Sequence, residues 1–279
     1  MELKDRIAVV TGAGRGIGRA IAMLLAREGA AVVVNSLTKA SAEKTAEEIK
    51  GMGFSAHSFP ADVTLRQNAF ALVDWAAATL GGIDILVSNV GFASHMLVED
   101  MPPEVWDRFI NVNLTTHFNL AKAALPHMIE KKYGKIVFMG SIAARRISGL
   151  GSADYTAGKH GTTGLMKHLA YEVARYNINV NMVNPGTTVT DMTLATSTEE
   201  ERETLAREYP LGRLSLPEDI AEAVLFLVSE KSRQITGHSI DVESGALIMF
   251  STGYSKGIRR RDETSKRRLA EWEAARHKP

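Results

Sequence analysis

The sequence predicts an α/β fold, a single-domain doubly wound parallel sheet of about seven strands with helices on both faces. Three observations point there. Short apolar, β-branched runs recur along the 279 residues, and amphipathic stretches with helical spacing separate them. The runs are also apolar on both faces, as a sheet requires when helices cover both of its sides.

The elements follow in order. RIAVVTG (Arg6 to Gly12) is the first strand, and GIGRAIAMLLAREG then places Ile17, Ile21, Leu24 and Leu25 on one helical face. AAVVVN (Ala30 to Asn35) is the second strand. SAEKTAEEIKGMG reads as a helix whose closing glycines suit a C-cap. SAHSFPAD (Ser55 to Asp62), IDILVSN (Ile83 to Asn89), GKIVFMG (Gly134 to Gly140), INVNMVNPG (Ile178 to Gly186) and HSIDV (His238 to Val242) complete the seven. No linker, repeat or low-complexity segment interrupts Leu3 to Gly245, so residues 1–250 read as one domain. Composition turns basic after Ser251, which sets residues 251–279 apart as a basic, partly helical extension.

Composition narrows the function classes. Apolar residues at 45%, charged residues at 23% and a net charge of +1 describe an ordinary globular chain, and near-neutrality argues against nucleic acid as a partner. The absence of cysteine excludes disulfides and thiolate catalysis. None of the eight histidines has metal-ligand spacing, so no metal is expected. The start, MELKDRIAVVTG, does not read as a secretory signal. No apolar run approaches the roughly 18 residues that span a bilayer. The expectation is a cytoplasmic protein without membrane attachment.

The first strand runs into TGAGRGIG (Thr11 to Gly18) and then a helix, an arrangement in which backbone N–H groups at a helix N-terminus can cradle a pyrophosphate. The spacing is GxxxGxG through Gly12, Gly16 and Gly18, not the general dinucleotide GxGxxG. In DYTAGKHG, Tyr155 and Lys159 share a helix face. Spacing alone leaves them either a catalytic pair or an aromatic and a cation in chance proximity.

With ADV (Ala61 to Val63), SNVG (Ser88 to Gly91), NVNL (Asn111 to Leu114), GSIAA (Gly140 to Ala144), YTAGK (Tyr155 to Lys159) and NPGTTVTDM (Asn184 to Met192) in sequence, the chain resembles the short-chain dehydrogenase/reductase family over roughly Leu3 to Gly245. Among its members it is most similar to 3-oxoacyl carrier-protein reductases. The resemblance implies a Rossmann-type sheet, a nicotinamide cofactor, a homotetramer and a catalytic set of Asn113, Ser141, Tyr155 and Lys159. It implies cofactor contacts from Gly12, Arg15, Gly16, Ile17, Gly18, Asp62, Val63, Asn89, Gly91, Pro185, Gly186, Thr188 and Thr190, together with Tyr155 and Lys159. SNVG departs from the family's usual pattern at Ser88 and Val90.

Elementary chemistry supports the central pair. Hydride addition to a ketone leaves an alkoxide that needs a proton donor, and a free tyrosine, with a pKa of about 10, needs a cation beside it to exchange its proton near neutrality. Lys159 is expected to supply that charge and Ser141 to hold the substrate oxygen. At the end of the second strand, Asn35 and Ser36 stand where NAD-binding sheets place an acid, with Arg15 and Lys39 as nearby cations. NADP is therefore expected over NAD.

The expected activity is reduction of a ketone or 3-oxoacyl thioester. An alcohol, sugar, steroid or ring-diol dehydrogenase is the alternative within the enzyme class, and a non-catalytic NADP-binding regulator the alternative outside it. The substrate pocket is expected from Ser94, His95 and Met96, from Ala143 to Ile147 with the rest of ARRISGLGSAD, and from a mobile lid beginning at Met192. Arg145 and Arg146 could meet an anionic substrate or carrier. The tail, with nine Lys or Arg against four Asp or Glu, reads as a short helix over DETSKRRLAEWEAARHK with acids in its first turn. Its Leu269 and Trp272 are expected to pack on the body or on a neighbouring subunit.

Overall fold

The computed structural model describes residues 1–148, 151–248 and 254–276. Strands β1 (Ile7–Val10), β2 (Ala31–Ser36), β3 (Ala56–Pro60), β4 (Ile85–Ser88), β5 (Gly134–Met139), β6 (Ile178–Pro185) and β7 (Ser239–Val242) form one parallel sheet in the order β3-β2-β1-β4-β5-β6-β7. The helices are α1 (Gly16–Arg27), α2 (Lys39–Gly51), α3 (Arg66–Leu80), α4 (Pro103–Ile110), α5 (Thr116–Lys131), α6 (Ala153–Val173), α7 (Asp191–Thr196), α8 (Glu199–Glu208), α9 (Pro217–Val228) and α10 (Tyr254–Arg276).

Strand alternation divides the interior into two cores. Ala8 and Val10 of β1 join Ile21 and Leu25 of α1 and Ile220 and Val224 of α9. Val9, one residue between them, faces Leu72 and Val73 of α3, Leu120 and Ala124 of α5 and Met166 of α6. Both faces of the strand are thus dry, which explains its unbroken apolar run. Between β1 and β4 the connections diverge to opposite faces, opening a crevice at the carboxyl ends of the strands. The glycine turn sits at that crevice. A Cβ on Gly18 would collide with the Gly12 carbonyl and lie 2.6 Å from Asn89 Nδ2, so only glycine lets α1 pack down on its own turn.

Four segments add to or differ from the expected elements. A π-helical turn, Asn111–Thr115, joins α4 to α5, and a 3₁₀ turn, Ala174–Tyr176, ends the long α6. The segment expected as a mobile lid folds into α7 and α8. A capping box, with Thr198 Oγ1 accepting from Glu201 N at 3.2 Å and Glu201 Oε2 accepting from Thr198 N at 2.9 Å, starts α8. The tail helix begins at Tyr254 rather than near Asp262 and has no acid in its first turn. Once nucleated, a helix extends cheaply through residues that do not break it, and only Gly257 weighs against it before Asp262. Gly149 and Leu150 of the expected pocket wall, the Met192 side chain and residues 277–279 lie outside the described residues.

Candidate active site

Four side chains converge at the carboxyl ends of β4, β5 and β6. Ser141 follows β5, its N–H held by Asn184 Oδ1 at 3.2 Å and its Oγ accepting from Ala143 N at 3.1 Å. Its hydroxyl meets that of Tyr155, which α6 brings across from the other side. Lys159, one turn further along α6, is 2% exposed, donates from Nζ to the Met139 carbonyl at 2.7 Å and lies 5.5 Å from the Tyr155 ring centroid. Asn113 occupies the π-turn, a local irregularity that often re-aims a functional side chain. Its Nδ2 donates to the carbonyls of Phe92 at 2.8 Å and Phe109 at 2.9 Å.

Gly91 shows how close two of these groups come. A Cβ there would lie 2.8 Å from Lys159 Nζ and 2.9 Å from Asn113 Oδ1, so both atoms border one small space that a side chain would fill. Asn113 Oδ1 is fully buried and has no protein partner. A buried acceptor in that state wants a donor, and a water or ammonium proton would satisfy it.

Burial dominates the electrostatics of the central pair. Burial pushes the Tyr155 phenol above its ordinary value, partly offset by the Ser141 hydrogen bond. Burial also lowers Lys159 from its ordinary value to about 7. Burial is thus the largest influence on both members of the pair, raising the phenol and lowering the amine. A negatively charged ligand beside the amine would favour its ammonium form.

The nearby turn fits a dinucleotide. The α1 N-terminus has no side-chain cap and no acid in its first turn, so its N–H groups are available to an anion. Exposed Arg15 stands at that terminus and takes part in no ion pair among the described residues, whereas Arg19 is committed to Glu48 at 2.7 Å. Gly12, Gly16, Ile17 and Gly18 line the turn, and Asn89 Nδ2 braces it from β4 through the Thr11 carbonyl at 3.1 Å. Asp62 Oδ1 accepts from Thr64 N at 3.0 Å and from its hydroxyl at 2.7 Å, orienting the carboxylate beside buried Val63. Pro185 ends β6, Gly186 leads on to Thr188, and Thr190 caps α7.

One expected contact is placed elsewhere. Asn35 is 1% exposed and spends both amide protons on the carbonyls of Phe59 and Ala61, at 3.0 and 3.1 Å. It fastens β2 to β3 and leaves the end of β2 to Ser36, whose Oγ bonds Ser41 Oγ at 2.7 Å. Arg145, left open as a substrate contact, is exposed and pairs with Asp241, Nε donating to Oδ1 at 3.1 Å. The departures in SNVG also acquire reasons. Ser88 Oγ shares a 2.6 Å hydrogen bond with buried His117 Nδ1, and Val90 lies 3.4 Å from where a Gly12 Cβ would sit.

The family model described as enoyl-(acyl carrier protein) reductase matches residues 12–246. A 3-oxoacyl-[acyl-carrier-protein] reductase of Thermotoga maritima is 36% identical, across 89% of this chain and 100% of its own length. The chain belongs to the short-chain dehydrogenase/reductase family. It is an oxidoreductase.

Among solved structures of short-chain dehydrogenases/reductases, a 3-oxoacyl-[acyl-carrier protein] reductase from Brucella melitensis superposes with TM-score 0.82 at 34% identity, covering 88% of this chain and 92% of that one. A 7α-hydroxysteroid dehydrogenase complexed with NADH and 7-oxo glycochenodeoxycholic acid gives 0.83 at 33%, covering 88% and 95%. Within this family frame, sequence reasoning missed the supports of the four central residues. Asn184, fully buried, ties Ser141 N to Asp241, donating from Nδ2 to Oδ1 at 2.7 Å. Asp154 Oδ1 accepts from Tyr155 N at 2.6 Å and from the Ser152 hydroxyl, and Ser94 Oγ donates to Ser152 Oγ at 3.1 Å. The available signal was polar residues flanking apolar strand and helix ends, too common a pattern to single them out.

Proposed function

We propose that this protein is an NADP(H)-dependent ketoreductase whose preferred substrates are 3-oxoacyl thioesters, with Tyr155 as the proton donor. The convergence of Ser141, Tyr155, Lys159 and Asn113 around one space, with Asn113 Oδ1 unpartnered, carries this reading. A reduced nicotinamide supplies the hydride when bound. Ser141 and Tyr155 hydroxyls then orient the substrate carbonyl, and the Tyr155 proton passes to its oxygen as charge develops there. Lys159 stabilises the resulting phenolate, while Asn113 Oδ1 holds a water through which Lys159 recovers its proton. NADP is favoured over NAD because the end of β2 offers Ser36 and no acid, while exposed Arg15 stands at the α1 N-terminus in no ion pair among the described residues. Exposed Phe118 on α5 and Tyr171 on α6, 45% and 84% accessible, suit the faces through which a homotetramer would assemble. A cytoplasmic setting without nucleic-acid or membrane partners accords with this reading. No helix among the described residues is long and apolar enough to cross a membrane.

The test mixes purified protein with NADPH and 3-oxoacyl thioesters, following loss of reduced nicotinamide. In parallel, NADP⁺ is offered with sugar, steroid and ring alcohols. Rapid thioester-dependent oxidation of NADPH is expected. Turnover confined to the alcohols would favour the second reading, a dehydrogenase, which the likeness to the hydroxysteroid enzyme supports. Cofactor binding without turnover in either direction would overturn both in favour of a regulator.

A further inference from the structure

The C-terminal helix is not needed to complete the sheet, yet it is docked beside the candidate pocket at two points. At the first, Ser265, fully buried, accepts from Leu97 N at 2.8 Å and donates to Asp100 Oδ2 at 2.9 Å. One hydroxyl thereby holds both ends of the 97–100 turn that follows β4. Just upstream the same loop is fixed to α6: Ser94 Oγ donates to Ser152 Oγ, His95 N donates to it at 3.2 Å, and Ser152 in turn donates to Asp154, the acceptor of the Tyr155 N–H. His95 takes a positive φ of 61°, a strained backbone that persists only where its surroundings enforce it.

The second point is apolar. Trp272 packs with Met96 and Met101 of that loop and with Val105 and Phe109 of α4 in a small core of their own. Phe109 stacks edge-on against Phe92, with ring centroids 5.2 Å apart and planes at 80°. The carbonyls of these two phenylalanines hold the Asn113 amide. Phe92 itself is 37% exposed, directly after Gly91, where Lys159 and Asn113 meet.

We propose that α10 is a clamp in cis that fixes the substrate wall. Ser265 and Trp272 are positioning residues that hold the 94–101 loop and the Phe109–Phe92 pair in the one arrangement that receives the alkyl part of the substrate. The proposal rests on the ketoreductase reading and goes beyond it, since it makes the tail a determinant of acyl-chain preference. Because the clamp acts on the substrate loop and not on the glycine turn at β1, its loss should raise KM for longer chains while leaving cofactor binding alone.

The experiment uses the full-length protein saturated with NADPH and compares Ser265→Ala, Ser265→Thr and Trp272→Leu with wild type. Amide exchange is measured for the 94–101 segment, and steady-state constants for 3-oxobutanoyl and 3-oxohexanoyl N-acetylcysteamine thioesters. Ser265→Ala should speed exchange at Leu97 about tenfold and raise KM for the longer substrate roughly three- to tenfold, the fold-change of one lost neutral hydrogen bond. Its kcat and NADPH affinity should stay within about twofold, Ser265→Thr should recover both readouts, and Trp272→Leu should exceed Ser265→Ala. Unchanged Leu97 protection in both disruptive variants would overturn the clamp, as would parallel losses of NADPH and thioester affinity, which signal general destabilisation. If wild type reduces no thioester, the ketoreductase reading fails separately and the exchange measurement alone decides the clamp.

Discussion

The cofactor end and the substrate end of the crevice are built on different principles. At β1 and α1 the geometry is made by backbone: glycines, an uncapped helix N-terminus and Asn89 bracing two carbonyls. At the substrate end it is made by side chains drawn from distant segments, with Ser94, Ser152, Asp154 and Ser265 linked across 171 residues of chain. Backbone devices leave compact signatures in a sequence, whereas assemblies of serines leave almost none. Tyr155 and Lys159 stand at the junction, on α6, which touches both.

The largest effect expected is at that junction. Tyr155→Phe should lower kcat by about three orders of magnitude or more while NADPH affinity changes little, because it removes the proton donor and keeps the ring in place. Near-normal turnover by a folded variant would show that the proton comes from elsewhere. Burial holds the phenol above its ordinary range, so activity should not require acid to keep Tyr155 protonated at neutral pH.

At the cofactor end, Gly18→Ala drives a methyl into the Gly12 carbonyl and against Asn89 Nδ2. A clash with backbone relaxes poorly, so about 1–3 kcal/mol of stability should be lost together with NADPH affinity. Loss of kcat with intact cofactor binding would mean that the two ends are less separate than drawn. Ser36→Asp probes the same end more gently. A carboxylate at the end of β2 should shift preference from NADP toward NAD by on the order of ten- to a hundredfold in the KM ratio. A wild type that already prefers NAD would show that Arg15 and Ser36 do not read the 2′-phosphate.

How much could be read beforehand follows the same division. Six of the seven strands fell inside their expected runs and β2 extends one residue past its own, to Ser36; the central strands carry a dry apolar pattern on both faces, whereas the edge strands β3 and β7 are largely half-buried. The four central residues do come together, for they sit in motifs whose spacing is fixed by strand ends and by one helical turn. Asn35 was misplaced because an amide at a strand end looks identical in sequence whether it faces ligand or the next strand. The ion pair of Arg145 could not be read from sequence because its partner Asp241 lies 96 positions away. The tail helix was drawn too short because Asp262 and Glu263 suggested a first turn, whereas the helix already runs from Tyr254 and those acids lie in its interior.

The smallest effect tests whether the departure at Ser88 belongs to catalysis or to packing. His117 is fully buried, bonds Ser88 through Nδ1, leaves Nε2 without a partner and stacks on Phe138 at a centroid distance of 5.5 Å. Burial, with a smaller contribution from the Lys159 charge, holds its pKa well below the usual 6.5. The folded protein therefore refuses a proton that the unfolded chain accepts once the pH falls below about 6.5. Stability is full above that value and declines as the pH drops toward the folded pKa, by at most roughly 1.4 kcal/mol per unit. The double variant Ser88→Ala/His117→Leu removes the titration without stranding a polar partner, so its Tm should fall less than that of wild type between pH 7.5 and pH 5. Its kcat at pH 7.5 should remain within about threefold, since neither side chain borders the space beside Gly91. Equal acid sensitivity in the two proteins would remove His117 as the cause, and a collapse of kcat would move the Ser88–His117 pair from the packing beneath the site into the site itself.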